Sequence, residues 1–123
     1  MIADHFKSSS PVFPSLDLDR SIEFYTRVFH TTSVVYGDYA VLDSGDFSIH
    51  LWKCDDKNIA ENTSCYIYVD NVDELYTKLK PLNVVHPNGD IEDKFFGLRE
   101  FAIVDPDGNL LKFGEPLELI RNR

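Results

Sequence analysis

The sequence predicts an α+β domain in which one unit of strand, helix and strands is used twice, and three observations carry that reading. The stretch YAVLDSGDFSIHLW (39–52) resembles FAIVDPDGNLLKFG (101–114): Tyr39-Ala40-Val41-Leu42-Asp43 falls without a gap on Phe101-Ala102-Ile103-Val104-Asp105, and Ile49, His50 and Leu51 fall on Leu111, Lys112 and Phe113. Each hairpin is preceded by a strand and a helix of similar design. A chain of 123 residues is long enough to bury its own core, either as one domain or as two halves that share it.

PVFPSLDL reads as the first strand. It leads into DRSIEFYTRVF, where Ile22, Tyr25 and Phe29, with Val28, mark one face at helical spacing. The first hairpin follows, and then CDDKNIAEN, a polar connector over 54–62. In the second half SCYIYVD is the strand and NVDELYTKLK the helix, with Val72, Leu75 and Leu79 repeating the apolar spacing and Pro81 ending it. Asp105-Pro106-Asp107-Gly108 has proline at the second position and glycine at the fourth, the preference of a type I turn. The chain therefore reads as a single domain, 1–123, of two modules at about 10–53 and 63–115.

Composition narrows the function classes. A hydrophobic content of 43% with 13% aromatic residues is that of a folded protein, and no apolar run approaches the ~20 residues that span a bilayer. MIADHFKSSS lacks the apolar core of a secretory signal, so a cytoplasmic location is expected. Cys54 and Cys65 form no CxxC and read as ordinary thiols of a reducing compartment. The formal charge of −9 opposes nucleic acid and anionic membranes as partners and favours a cationic ligand, or simply solubility.

Strand alternation sorts the residues further. In DFSIHLW, Phe47, Ile49 and Leu51 suit packing under a helix, which leaves Ser48, His50 and Trp52 on the other face. In SCYIYV the corresponding division is Cys65, Ile67 and Val69 against Ser64, Tyr66 and Tyr68, and in NLLKF it is Leu111 and Phe113 against Leu110 and Lys112. Trp52, Tyr66 and Tyr68 together are a large aromatic surface to leave in water, and aromatic walls with a few polar groups are the usual makeup of a small-molecule site; a ligand cleft is expected, with a dimer interface or plain surface as the alternatives.

Motifs for covalent chemistry are lacking. The chain has no GxSxG and no glycine-rich phosphate loop. The paired carboxylates Asp55-Asp56, and Asp70 with Asp73, fall in turns or at helix starts, where capping and the helix dipole account for them. His5, His30 and His86 show no HxH or HxxxH spacing. His50 reads as a hydrogen-bonding side chain, with a metal site built from His50 and carboxylates as the alternative.

PVFPSLDLDRSIEFY, ENTSCYIYVDNVDELY and FGLREFAIVDPDGNLLKFGEP, which span nearly the whole chain, resemble the vicinal oxygen chelate superfamily, the fold of glyoxalase I, extradiol dioxygenases and fosfomycin-resistance transferases. Within it, NTSCYIYV and FGLREF are most similar to the bleomycin resistance proteins. The resemblance implies two tandem βαβββ modules forming a cupped mixed sheet with helices on the outer face. It implies binding without chemistry: a homodimer that sequesters a bleomycin-type glycopeptide antibiotic in a groove completed by two chains.

The positions where the superfamily's metalloenzymes carry their ligands hold Ser10, Ser64 and Lys112 here. Two hydroxyls and an ammonium do not replace imidazole and carboxylate around a divalent metal, so no metal, cofactor or catalytic residue is expected. Tyr39, Tyr66, Tyr68 and Phe96 match aromatic positions of the family's groove or its sheet face, Phe96 standing where tryptophan often precedes glycine. With His50, Trp52 and Lys112 from the strand faces, they make the expected ligand-binding set. The resemblance also implies a first strand exchanged between subunits, with Pro11 or Pro14 at the crossover; the same prolines read equally as protection of an edge strand. The rival functions are a metal-dependent lyase, dioxygenase or thiol transferase of the same superfamily, and a metabolite-binding relative without drug affinity.

Overall fold

A computed structural model describes residues 1–123. The chain opens with an exposed arm that makes one 3-10 turn at Ile2–His5. The first module is β1 (Val12–Ser15), α1 (Leu18–Phe29), β2 (Thr32–Tyr36), β3 (Tyr39–Ser44) and β4 (Phe47–Lys53). The polar connector contains a one-turn helix, α2 (Lys57–Ala60), which buries Ala60. The second module is β5 (Ser64–Tyr68), α3 (Val72–Leu79), β6 (Glu92–Asp93), β7 (Leu98–Val104) and β8 (Leu110–Pro116), and α4 (Leu117–Arg121) closes the chain. The sheets run in the order β1-β4-β3-β2 and β5-β8-β7-β6. In each, the first strand lies parallel to the last and the other pairs are antiparallel, so both modules are βαβββ units of one topology. No helix is long and apolar enough to cross a membrane.

Local chemistry sets the helix ends. Asp17, in extended backbone, accepts the Arg20 amide at 3.1 Å to start α1, and His30 ends it in the left-handed region. Asn71, rather than Asp70, caps α3 by accepting the Glu74 amide, while Asp56 caps α2. The buried stripe of α1 is Ser21, Phe24, Tyr25 and Val28. Ile22 and Phe29 flank it, half-buried, so the apolar face is rotated slightly from the one the spacing indicated. Phe29 reaches both modules: its ring lies 4.7 Å from that of Phe47 and 6.1 Å from that of Phe113, within one core cluster that runs through both sheets.

The register corrects the gapless alignment of the two hairpins. Leu42 pairs with Ile49 in the first, whereas Ile103 pairs with Leu111 in the second. Ala40 and Leu42 thus correspond to Phe101 and Ile103, all buried, and Tyr39 does not correspond to Phe101. The strands of the first hairpin are joined through Gly45 and Asp46, those of the second through the longer Asp105–Asn109 turn, and a one-residue slip exchanges the faces of a strand.

That longer turn fastens the modules together. The Gly108 amide donates to the Asp105 carbonyl at 3.1 Å, with Gly108 at a positive φ of 98°. Tyr25 donates its hydroxyl to Asp105 at 2.8 Å, Ser21 donates to Asp107, and Arg20 is ion-paired with Asp107. Asn109, fully buried, donates to the Pro14 carbonyl and to Asp105, both across 2.8–2.9 Å. Burial pushes the Asp105 carboxyl above its ordinary range, against the hydrogen bonds from Asn109 and Tyr25.

Candidate functional site

Each sheet turns one face to the common core and leaves the other open. On the first sheet the open face follows from register: Val12 and Val41 flank His50, Pro14 and Tyr39 flank Trp52, and Tyr36 stands across from Tyr39. Tyr39 and His50 are joined by a hydrogen bond of 2.7 Å between the phenolic oxygen and Nδ1, with their rings edge to face at 5.5 Å. This bond fixes both side chains in one orientation beside Trp52.

The open face of the second sheet carries Ser64, Tyr66 and Tyr68 on β5, Leu110, Lys112 and Gly114 on β8, and Glu100, Ala102 and Val104 on β7. Tyr66 lies across the sheet, directly over Gly114, and donates to Glu100 Oε1 at 3.1 Å. Burial, and then the Glu100 charge, hold the Tyr66 hydroxyl well above its ordinary pKa, so it remains a donor at neutral pH. Tyr66 and Tyr68 are neighbours at 5.2 Å, and Tyr68 is 69% exposed.

Phe96 stands apart from both patches. It sits at the tip of the β6–β7 hairpin, edge to face with Phe95 at 5.1 Å; Phe95 is 100% exposed. Gly97 turns that tip at a positive φ of 84°, and the Leu117 amide donates to its carbonyl at 3.0 Å, tying the hairpin to the C-terminal helix.

The structure therefore brings Tyr39, His50 and Trp52 together on one sheet and Tyr66, Tyr68 and Lys112 on the other, and places Phe96 on neither. Sequence reasoning missed Glu100, Gly114 and Phe95. The signal for Glu100 lay in LREFAIV, where Leu98, Glu100 and Ala102 alternate with the core residues Phe101 and Ile103.

Cavities mark where a ligand has room. One of about 450 Å³ lies where the modules meet, lined by Ser10, Pro11, Ser48, Tyr66 and Tyr68 among others. A second, of about 220 Å³, lies on the open face of the second sheet and includes Glu100, Ala102 and Lys112. No three His, Cys, Asp or Glu side chains converge as a metal-holding group. Cys54 and Cys65 are free, and burial pushes the Cys65 thiol up to about 11, which leaves it a poor nucleophile.

Comparison with known proteins agrees with this architecture. Residues 4–113 match the model of the glyoxalase/bleomycin resistance protein/dioxygenase superfamily, and the chain belongs to that family. It is 35% identical over 128 aligned positions to bleomycin resistance proteins of Geobacillus stearothermophilus and Staphylococcus aureus, covering 89% of this chain and 97% of each relative. Among solved structures it superposes on a bleomycin-binding protein complexed with bleomycin with a TM-score of 0.75 and 25% identity, over 89% of this chain and 98% of that one. It also matches the bleomycin-binding protein of Streptomyces verticillus complexed with copper(II)-bleomycin, with a TM-score of 0.76 and 26% identity over 88% and 94% of the two chains.

Proposed function

We propose that this protein sequesters a bleomycin-type glycopeptide antibiotic by binding alone, as a homodimer, without metal or cofactor and without altering the drug. The observation that carries the reading is the 35% identity to bleomycin resistance proteins along 89% of the chain. The open faces support it with aromatic side chains placed for stacking against flat rings: Tyr39 and Trp52 on one sheet, Tyr66 and Tyr68 on the other. His50 and Lys112 add polar contacts, and Phe96, apart from both faces at the hairpin tip, completes the proposed set.

What the open faces leave uncovered supports the dimer. Val12, Val34 and Tyr36 share the open face of the first sheet by register and are all more than half exposed. Burying such surface on a second copy is worth about 25 cal/mol per Å², and it would close a groove over faces that one chain leaves open. In this reading the binding unit is the whole chain, with modules 10–53 and 63–115 about the connector 54–62, acting in the cytoplasm.

Trp52 is the only tryptophan and stands on the proposed groove face, so its fluorescence reports binding. Titration with metal-free bleomycin should give saturable quenching that a chelator leaves unchanged and that Trp52→Phe abolishes as an optical signal. Quenching that requires added divalent metal would favour the metal-dependent relatives instead.

A further inference from the structure

The cavity of about 220 Å³ on the second sheet keeps two opposite charges apart. Glu100 is only 6% exposed; its Oε1 is taken by the Tyr66 hydroxyl, and its Oε2 has no protein partner. Lys112 lines the same cavity and makes neither a hydrogen bond nor an ion pair. The other charged side chains there are already engaged: Lys94 with Glu92, though its ammonium also feels the Glu100 charge at longer range, and Asp90 with Tyr76 and Lys80. Ala102 is the register partner of Lys112, so Glu100 lies diagonally from it across β7 and β8, a relation that separates backbone positions by about 7–8 Å.

A buried carboxylate with a free oxygen and an unpaired ammonium, in one small cavity and not neutralising each other, fit a ligand that carries both complementary charges close together. A simple cation would meet repulsion from Lys112, and a simple anion repulsion from Glu100. Ala102, directly across from Lys112, and Leu110, one row beyond it, give the cavity an apolar wall.

We propose that this cavity is a subsite for an α-amino-acid head group, its ammonium donating to Glu100, its carboxylate accepting from Lys112, and its short side chain against Ala102 and Leu110. The proposal rests on the reading of the open faces as the ligand surface and adds the chemistry of one end of the ligand. The head group belongs either to a free amino acid or to the end of a larger ligand.

Backbone amide shifts of the full-length protein, followed by NMR, test it with three small probes. L-Alanine carries both charges, L-alaninamide only the ammonium, and propionate only the carboxylate. The expected result is saturable shifts in β7 and β8 with L-alanine, and at least tenfold weaker binding of the other two. Lys112→Met should lower L-alanine to the level of L-alaninamide, and Glu100→Gln to that of propionate. Equal affinity for the three probes, no saturable shift with L-alanine, or L-alanine binding that neither variant changes would overturn the proposal. Repeating the L-alanine titration with saturating bleomycin assigns the source: competition identifies the end of a drug-type ligand, and independent binding identifies a free amino acid, both consistent with the subsite. Trp52 quenching by bleomycin on the same sample separates the failures, because loss of L-alanine binding with quenching intact removes only the subsite, whereas absence of quenching removes the functional reading.

Discussion

Gly114 is the residue on which the second open face depends. A Cβ built there would stand 2.0 Å from the Tyr66 hydroxyl and 2.7 Å from the ring carbon that bears it, so the tyrosine lies flat over the sheet only because this position has no side chain. The Tyr66 hydroxyl is in turn the one side-chain donor to Glu100. Gly114→Ala should therefore force the ring off the sheet and leave a buried carboxylate without its donor. The expected cost is about 1–3 kcal/mol in a denaturant titration, from overpacking and the unmade bond together. Bleomycin affinity should fall roughly tenfold, the equivalent of about 1.4 kcal/mol. A Gly114→Ala protein that binds as tightly as the parent would show that the Tyr66 orientation is irrelevant to the ligand.

Among the elements, α3 is held from outside its own sequence. Glu115, at the end of β8, is buried and accepts the Val72 amide at 3.0 Å, occupying the positive end of the helix, and Arg123 closes on the same carboxylate. Burial opposes ionisation of Glu115, but these hydrogen bonds and the Arg123 charge prevail and hold its pKa below the ordinary glutamate range. A carboxyl whose folded-state pKa is lowered contributes stability that is present above the unfolded value, about 4.3, and is lost as pH falls through the folded value. Asp105 works in the opposite sense: its raised pKa makes its contribution largest in acid, declining as pH rises through that raised value. Glu115→Gln should thus lower stability at neutral pH and flatten its decline below about pH 4.3, measured by urea unfolding across that range. An unchanged acid limb in the variant would contradict the assignment.

The same scale shows what the sequence made legible. Helices α1 and α3, strands β1 and β5 and the two hairpins β3–β4 and β7–β8 followed from apolar spacing and turn residues, and the faces of β4 and β8 from alternation, because Ile49, Leu51, Leu111 and Phe113 repeat every second residue into the core; β2, β6, α2 and α4, short or polar, did not. The gapless correspondence of β3 with β7 does not hold in the fold. Aromatic Tyr39 and Phe101 match by type but face opposite ways, since the Asp105–Asn109 turn changes the register and no residue type announces that shift. The aromatic members of the candidate site were legible for the same reason as the strands. Glu100 was not: a glutamate within a strand reads as solvated until the loop at 86–94 and the Tyr66 ring are seen to cover it.

At the scale of the whole molecule, charge and shape bear on the same ligand. A net charge of −9 raises the local concentration of a cationic glycopeptide by long-range attraction, an effect that salt screens over about 8–10 Å at ordinary ionic strength. Lys112 is an exception to that field, a positive charge on the second open face. The two open faces lie on separate four-stranded sheets, and the larger cavity lies where the two modules meet. Calorimetric titration of metal-free bleomycin into the protein, with chelator present, tests for binding without chemistry. The expected trace saturates near one drug per subunit and returns to a flat baseline after every injection. Absence of saturable heat, or continuing heat after each injection as from turnover, would contradict it.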